Sequence, residues 1–221
     1  MGGYKSCEAL GIRQKYDYIL SQEYWKRYKE FGSTPMGSFW ISKERQERRF
    51  KIILDEISKI EKTGSIELSD IGCGYGALAL YLKFYRPNLV KQYTGYDLNR
   101  NLVGICSKNI TEDWLHFKVG SQPAKTTMFS VMSGTYNLAA TTNIDSWEDY
   151  LRGCLSDCWD KTSNAMIFNL QVSKRVRISK ENIYYADKSR VLDWCVSFLG
   201  PTKIVEYKDL PNDATFVVLR T

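Results

Sequence analysis

The sequence predicts an α/β fold in which a doubly wound, mostly parallel sheet of seven strands follows a helical extension. A strand at residues 66–71 runs into closely spaced glycines that open a helix. Five strands then alternate with helices along the chain, which is typical of a parallel sheet covered on both faces. Two closing strands have a short connection, so we expect them to form an antiparallel pair.

The N-terminal part of the chain, residues 1–62, is predicted to form a helical extension or lid in front of a domain at residues 63–221. Residues 16–31 carry apolar side chains at helical spacing, and the loop-like composition of residues 32–38 ends this helix. A second helix, residues 42–62, has an apolar stripe with the i, i+3, i+4, i+7 spacing of a buried helix face. The stripe consists of Phe50, Ile53, Leu54, Ile57 and Ile60.

The remaining elements are predicted from apolar runs separated by glycine, proline and polar residues. The seven strands cover residues 66–71, 92–96, 115–119, 128–132, 165–171, 203–207 and 215–220. The helices between them cover residues 75–84, 99–109, 146–160 and 188–199. Residues 172–182 are polar and are predicted to form a connecting segment.

Composition and charge limit the classes of function. A chain of 221 residues can form one domain with a substantial core and a short extension. No apolar run is long enough to suggest a membrane-spanning helix. The six cysteines contain no C-x-x-C pair, so we expect reduced thiols in a cytoplasmic protein and no metal site.

The formal net charge of +6 is a mild excess of basic residues. Basic residues cluster at 43–49 and again at 173–180. Such clusters can contact an anionic substrate or nucleic acid. We favour the simpler interpretation that they are a solvated helix face and a solvated loop.

The stretch from Asp70 to Gly76 carries the chemistry that the sequence reveals most clearly. Asp70 ends the first strand of the sheet, and the sequence then reads Gly-x-Gly-x-Gly. Glycines permit a tight strand-to-helix turn, and the following helix directs its positive end at a ligand in that turn. In an open α/β sheet this edge is where ligands bind.

Two cofactor classes use a turn of this kind. Residues 72–77 match the G-x-G-x-x-G/A pattern of NAD(P) enzymes. Residues 70–76 match the acid-x-G-x-G-x-G pattern of enzymes that use S-adenosylmethionine (SAM). An acid at Asp70 would repel a pyrophosphate but would hold the cationic amino group of a methionine moiety, which favours SAM.

From about residue 39 to the C-terminus, the chain resembles the class I SAM-dependent methyltransferases. The motifs that carry the resemblance are DIGCGYG at 70–76, GYDLN at 95–99 and SGTYN at 133–137. Residues 39–50 are similar to the helix that precedes the cofactor domain in one bacterial branch of these enzymes. The members of this branch are poorly characterised and often accompany small-molecule and glycan pathways. The resemblance implies a Rossmann-like, doubly wound seven-stranded sheet with an antiparallel last strand.

The resemblance also implies a set of cofactor-binding residues: Asp70, Gly72, Cys73, Gly74, Gly76, Asp97, Leu98, Ser121, Gln122, Ser133 and Gly134. Asp70 would organise the amino group, and Asp97 would accept the ribose hydroxyls, although Asp97 also suits the N-cap of the next helix. Leu98 would pack on the adenine. The family's usual acid after the third strand is replaced here, so Ser121, Gln122 or the backbone itself would serve the adenine amino group.

Candidates for acceptor positioning follow the fourth strand. Tyr136 and Asn137 lie where the transferred methyl group is expected, although neither is a good base at neutral pH. His116, the one histidine, begins the third strand and therefore lies at the wrong end of the sheet. Trp40, Tyr184 and Tyr185 could contribute to a lid, but aromatic residues in such positions commonly serve packing.

These observations predict a methyltransferase that uses SAM, with S-adenosylhomocysteine as product, to methylate oxygen or nitrogen of a small-molecule or glycan acceptor. Three alternatives remain: a non-catalytic SAM-binding or scaffold protein, a nucleic-acid methyltransferase and an NAD(P)-dependent oxidoreductase. The D/N-P-P-Y/F signature of amino-group nucleic-acid methyltransferases is absent, so nucleic acid is not the favoured acceptor.

Overall fold

A computed structural model describes residues 11–62 and 65–220 of the chain. The helices are α1 (Ile12–Phe31), α2 (Lys43–Ile60), α3 (Ala77–Tyr85), α4 (Arg100–Asn109), α5 (Ile144–Trp159) and α6 (Lys188–Phe198). The strands are β1 (Ile66–Ile71), β2 (Val90–Asp97), β3 (Leu115–Val119), β4 (Thr127–Met132), β5 (Thr162–Gln171), β6 (Arg177–Ile178), β7 (Tyr184–Tyr185), β8 (Thr202–Val205) and β9 (Asp213–Leu219). No helix in the described ranges is long and apolar enough to cross a membrane.

The main sheet has seven strands in the order β3-β2-β1-β4-β5-β9-β8. The first five strands of this order are mutually parallel, whereas β9 runs antiparallel to both β5 and β8. The order reverses direction between β1 and β4, which creates a crevice at their carboxyl ends. The predicted fold class, including the antiparallel last strand, is confirmed.

The sheet is buried on both faces because its strands alternate side chains between two apolar clusters. Along β5, Met166 and Phe168 face the cluster beneath α5 and α6, whereas Ala165 and Ile167 face the cluster that contains α2 and α3. Residues of a strand that are two apart share one face. The two clusters therefore hold helices on both sides of the sheet.

The two N-terminal helices pack on opposite faces of the sheet. The apolar stripe of α2 is buried as predicted, with Ile53, Leu54 and Ile57 at 0% exposure beside β1 and β4. Ser42 caps this helix by accepting a hydrogen bond from the Arg45 amide at 3.3 Å. Helix α1 contributes Tyr16 and Leu20 to the other cluster. The division into an extension at 1–62 and a domain at 63–221 stays a prediction.

Short elements occur where the sequence analysis expected only loops. A 3-10 helix, Pro35–Ser38, lies within the predicted loop. Strand β6 lies inside the polar segment and pairs with β7, just after it, in a two-stranded antiparallel sheet. Strands of two residues have no periodicity that a sequence pattern could reveal. Their pairing follows from tertiary contacts, including the Arg177 guanidinium 3.8 Å from the centroid of the Tyr185 ring.

Truncation of the α2 stripe should test how far this helix belongs to the core. We expect Ile57→Ala to lower the free energy of unfolding by about 2–5 kcal/mol, because the side chain is fully buried and its removal leaves a cavity. The measurement is urea-induced unfolding followed by circular dichroism.

The matched control is Ile12→Ala at the start of α1, where the isoleucine is 63% exposed. This change should alter the free energy of unfolding by less than about 0.5 kcal/mol. Equal effects of the two substitutions would contradict the burial of α2 in the core.

Candidate functional site

A cavity opens at the carboxyl ends of β1, β2 and β4, where the strand order reverses. We call it the first cavity. Its floor is the turn between β1 and α3, and its sides are the segments that follow β2, β3 and β4. Helices α1 and α2 contribute Tyr24 and Gln46 to its wall.

The turn between β1 and α3 depends on glycine for packing within the protein. Gly72 has φ +75° and Gly76 has φ +83°, in the left-handed region that residues with a Cβ rarely adopt. A Cβ on Gly72 would lie 2.6 Å from Thr135 Cγ2, and one on Gly76 would lie 2.6 Å from Ile110 Cδ1. Both positions therefore require glycine before any ligand is considered.

The backbone amides of this turn are largely satisfied within the protein. The amides of Gly72 and Cys73 both donate to the Tyr96 carbonyl, at 2.7 and 3.0 Å. The Gly74 amide donates to Asp97 Oδ2 at 2.9 Å. A pyrophosphate site needs such amides free to face the anion, so this turn is poorly suited to a dinucleotide.

Asp70 is a buried carboxyl group with one strong partner. Its side chain lines the first cavity, and its Oδ2 accepts a hydrogen bond from the Tyr93 hydroxyl at 2.6 Å. Burial raises the pKa of Asp70 to about 7, the Tyr93 hydrogen bond opposes this increase, and the charge of Asp97 adds to it. A cation placed beside Asp70 would favour the ionised form.

Asp97 connects the end of β2 to two neighbouring segments. Besides the Gly74 amide, it accepts a hydrogen bond from the Asn99 amide at 2.8 Å. Burial raises the pKa of Asp97, and these two backbone donors work in the opposite direction. The N-cap of α4 is Asn99, whose Oδ1 accepts from the Asn101 and Leu102 amides, so the alternative role of Asp97 as that cap is wrong.

The first cavity has a negative electrostatic character. Among the described residues that line it are the carboxyls of Asp70 and Asp97, and no lysine, arginine or histidine. Two hydroxyl groups at its wall, Ser133 Oγ and Tyr136 Oη, are buried and have no hydrogen-bond partner in the described structure. A cationic ligand with polar groups fits this lining better than an anionic one.

Helix α1 covers the part of the first cavity that contains Asp97. Asn99 Nδ2 donates to the Ser21 carbonyl at 2.9 Å and lies 3.2 Å from Ser21 Oγ. At the other side of the cavity, the Tyr150 hydroxyl of α5 donates to Asp17 Oδ1 at 2.6 Å. These contacts hold α1 across the opening.

A second cavity adjoins the first at Trp40 and Gly134, which line both. Its distinctive polar groups are Arg45 and Arg49 of α2 and Asp213 of β9. A Cβ on Gly134 would lie 3.1 Å from Trp40 Cζ2, so these two residues pack closely where the two cavities meet. A ligand in the second cavity would therefore lie next to the loop that follows β4.

Most of the residues proposed for cofactor binding line the first cavity, namely Asp70, Gly72, Cys73, Gly74, Asp97, Leu98, Ser121, Ser133 and Gly134. Two do not. Gly76, just before α3, instead lies beside Ile110, and Gln122 is exposed and is not among the residues that line the cavity. Of the two residues offered for the adenine amino group, Ser121 lines the first cavity and Gln122 does not, and the role of Ser121 stays a prediction.

The two residues proposed for acceptor positioning lie in different cavities. Tyr136 lines the first cavity, and burial raises the pKa of its hydroxyl well above the ordinary value, so it stays protonated. Asn137 lines the second cavity, and its Oδ1 accepts a hydrogen bond from the backbone amide of Gln171 at 2.9 Å. Its side chain therefore braces the loop against β5.

The aromatic lid candidates also separate. Trp40 lines both cavities and Tyr185 lines the second. Tyr184 is 1% exposed, and its hydroxyl donates to Glu148 Oε1 at 3.0 Å, so it packs inside the protein.

Sequence reasoning did not single out Arg49 and Asp213. Arg49 belongs to the basic cluster that we expected to be solvated, yet it is 6% exposed. A signal was available, because Arg49, Ile53 and Ile57 are spaced by four and share one face of α2. Asp213 follows a proline-asparagine turn and carries no such signal.

Among the described residues, no group of three or more histidine, cysteine or acidic side chains is arranged to hold a metal ion.

Comparisons with known proteins identify the fold. No family model matches the chain, and no curated protein matches it. Solved structures do match. One is the magnesium protoporphyrin IX methyltransferase of Synechocystis with bound SAM, which is 11% identical, has a TM-score of 0.63 and is matched over 96% of this chain and 99% of that one.

Two further matches are of the same class. A SAM-dependent methyltransferase of Leishmania major is 14% identical with a TM-score of 0.66, over 98% of this chain and 92% of that one. An amino pentose methyltransferase of Micromonospora echinaspora, solved with SAM, is 12% identical with a TM-score of 0.59, over 80% and 92% of the two chains. The chain has the class I SAM-dependent methyltransferase fold.

The raised pKa of Asp70 should make stability depend on pH. Because the pKa of this carboxyl is higher in the folded than in the unfolded chain, its contribution to the free energy of unfolding is fully present below about pH 4, where the unfolded aspartate is also protonated. This contribution is lost as the pH rises. The loss should be complete above about pH 7, the pKa of folded Asp70. We expect Asp70→Asn to remove this dependence, measured by urea unfolding from pH 4 to 8.

The control is Asp149→Asn, which removes a carboxyl that is 79% exposed on α5. Its unfolding curves should follow the pH dependence of the wild type. A constant difference between the wild type and Asp70→Asn across this range would contradict the raised pKa.

Proposed function

We propose that this protein binds SAM in the first cavity and transfers its methyl group to oxygen or nitrogen of a small-molecule or glycan acceptor. The observation that carries the proposal is the presence of two carboxyls, that of the buried Asp70 and that of the partly exposed Asp97, in a cavity whose described lining has no basic side chain. SAM has a cationic sulfonium and a cationic amino group, which match this lining.

The residues present fit the parts of SAM. Asp70 would hold the amino group, and Asp97 would accept hydroxyls of the ribose with the lone pairs that Gly74 and Asn99 leave free. Leu98 would pack on the adenine, and Ser121 would lie near its amino group. The unpartnered hydroxyl of Ser133 would gain a partner at the methionine end.

When bound, SAM would supply a methyl carbon attached to a cationic sulfur. The lone pair of the acceptor forms a bond to this carbon, and the electron pair of the broken carbon–sulfur bond stays on sulfur. The proton of the acceptor leaves to solvent. The protein's part is to hold the acceptor in line and to exclude water. Tyr136 stays neutral because it is buried, so it would act as a hydrogen-bond donor and not as a base.

A non-catalytic SAM-binding protein is the second candidate. The absence of the usual acid after β3 and the outward position of Gln122 favour it, because both leave the adenine with fewer contacts. Release of S-adenosylhomocysteine from SAM in the presence of an acceptor would exclude this candidate. An NAD(P) oxidoreductase is disfavoured by the two carboxyls, and a nucleic-acid acceptor would require binding that falls steeply with salt.

The first test of the proposal is calorimetric titration with S-adenosylhomocysteine, with NADH as the comparison. We expect binding of S-adenosylhomocysteine alone. We expect Asp97→Asn to weaken it by about 10- to 100-fold, since a hydrogen bond to a charged group contributes about 1.5–3 kcal/mol. Asp149→Asn is the control and should bind as the wild type does.

Three results would count against this assignment: binding of NADH with comparable affinity, failure of S-adenosylhomocysteine to bind, or wild-type affinity in Asp97→Asn. Circular dichroism of each variant separates a lost contact from a lost fold, because Asp97 also holds Gly74 and Asn99.

The binding of S-adenosylhomocysteine should also release protons from the protein to the buffer. Because the pKa of Asp70 is about 7 in the free protein, an ammonium group beside it should drive its proton off near that pH. Affinity should therefore rise with pH through this range, and the binding enthalpy at pH 6.5 should depend on the ionisation enthalpy of the buffer.

Calorimetry in phosphate and in Tris at pH 6.5 and 8.5 measures this effect. The buffer dependence should be present at the lower pH and largely lost at the higher one, where Asp70 is already ionised. Equal enthalpies in both buffers at pH 6.5 would contradict contact between the amino group and Asp70.

A further inference from the structure

We infer that the acceptor carries a carboxylate on an apolar body, and that Arg45 and Arg49 bind this carboxylate in the second cavity. The inference rests on the proposed function, since it identifies the chemical class of the acceptor for the same reaction. It narrows the broader expectation of a small molecule or glycan.

The position of the second cavity makes it suitable for an acceptor. It shares Tyr24, Ser38, Trp40 and Gly134 with the first cavity, so the two spaces meet at the loop that follows β4. This loop lies beside the predicted methionine end of the cofactor. A ligand held in the second cavity could therefore present an oxygen or nitrogen to the methyl group.

Arg49 is a buried cation with an unused donor. Its guanidinium pairs with Asp213 and lies 4.4 Å from the centroid of the Trp40 ring. The side-chain amide of Gln171 is oriented so that both its oxygen and its nitrogen have hydrogen-bond partners. In this orientation the Gln171 oxygen accepts a hydrogen bond from Arg49 Nη2 at 3.2 Å. Arg49 Nε remains buried without an acceptor in the described structure.

An unsatisfied buried donor costs about 1–3 kcal/mol, and a ligand oxygen would remove that cost. Arg49 Nη1 is also close to the junction of the cavities, 3.6 Å from the position of a Cβ on Gly134. The guanidinium is thus fixed on one side by Asp213 and Trp40 and has a donor left for a ligand.

Arg45 lies one turn before Arg49 on the same face of α2 and also lines the second cavity. The other cations of this helix are all paired: Lys43 with Glu47, Arg48 with Asp209, Arg49 with Asp213, Lys51 with Asp55 and Lys59 with Glu56. Arg45 has no ion-pair partner anywhere in the described residues. An anion in the cavity would supply one.

The charge and lining of the second cavity favour a monoanion. Two guanidinium groups face one carboxylate, that of Asp213, which leaves one positive charge for a ligand to neutralise. Carboxylates suit arginine because its planar donors can engage both oxygens. The wall also presents the apolar side chains of Trp40, Ile41 and Leu210 and the ring of Tyr185, against which an apolar body of the acceptor would pack.

A competing interpretation assigns the two arginines to the carboxylate of SAM itself. Neither Arg45 nor Arg49 lines the first cavity, and Trp40 with Gly134 lies between them and it. The experiment separates the two interpretations, because S-adenosylhomocysteine carries the same carboxylate as SAM.

The experiment uses the full chain saturated with S-adenosylhomocysteine and matched pairs of small probes. Benzoate, phenylacetate and cinnamate are each compared with the corresponding primary amide, and phenyl phosphate is added as a dianion. Affinities are measured by ligand-detected NMR titration for the wild type, Arg45→Gln and the control Lys43→Gln. Lys43 is on the same helix but outside both cavities.

We expect at least one carboxylate to bind the wild type about tenfold more tightly than its amide, the factor that about 1.4 kcal/mol provides. Arg45→Gln should abolish this preference and leave the affinities for the amides and for S-adenosylhomocysteine unchanged. Lys43→Gln should retain the preference. Arg49 is not substituted, because its loss would leave Asp213 buried and unpaired.

Several results would overturn the inference: equal binding of carboxylates and amides, binding of none of the carboxylates, preference for phenyl phosphate, or an unchanged preference in Arg45→Gln. Weaker binding of S-adenosylhomocysteine by Arg45→Gln would assign the arginines to the cofactor. Failure of the wild type to bind S-adenosylhomocysteine would refute the proposed function alone. The same probes would then be titrated into the free protein, where an Arg45-dependent preference would still support the carboxylate site.

Discussion

The carboxylate of Asp97 is the contact on which the arrangement of the candidate site depends. One of its oxygens accepts from the Gly74 amide and fixes the glycine turn, and the other accepts from Asn99 and fixes the start of α4. Asn99 in turn binds Ser21 of α1. A single carboxylate therefore relates the floor of the first cavity, one of its walls and the helix that covers it.

The limited contact of this acid with solvent has an electrostatic consequence. Asp97 and Asp70 lie in the same cavity, and the pKa of each is raised mainly by loss of solvent. Holding charged carboxylates there disfavours the unliganded protein, whereas a cation between them relieves the cost. The loss of solvent that makes two negative charges unfavourable in this cavity therefore favours a positively charged ligand over a neutral or anionic one.

The two cavities have opposite electrostatic character although they adjoin each other and share Trp40 and Gly134 in their walls. The buried pair of Arg49 and Asp213 joins α2 to β9 and brings a cation close to this wall. Asp213 also contacts Asn169 at 3.4 Å, and Asn169 accepts from the Gly134 amide at 2.7 Å. The loop at the junction is thus tied to the same polar group that shapes the second cavity.

Much of the fold and part of the candidate site were accessible from the sequence, because they depend on local patterns. Apolar periodicity predicted α2 with its buried stripe, and alternation of strands and helices predicted the doubly wound sheet. The acid–glycine turn placed Asp70, Gly72 and Gly74 at one edge of that sheet, since the geometry of such a turn is encoded within a few residues. The short connection before β9 predicted its antiparallel direction.

Only the tertiary structure decided what depends on contacts between distant segments. It directed Gln122 to the surface, gave Gly76 a packing role, and separated Tyr136 from Asn137. It also buried Arg49 against Asp213, although its basic neighbours suggested a solvated surface. Local sequence determines which backbone conformations are favourable, but the environment of a charge is set by every element that packs around it. The sequence by itself therefore determined the sheet and the acid–glycine turn, and tertiary packing decided the charges of the two cavities.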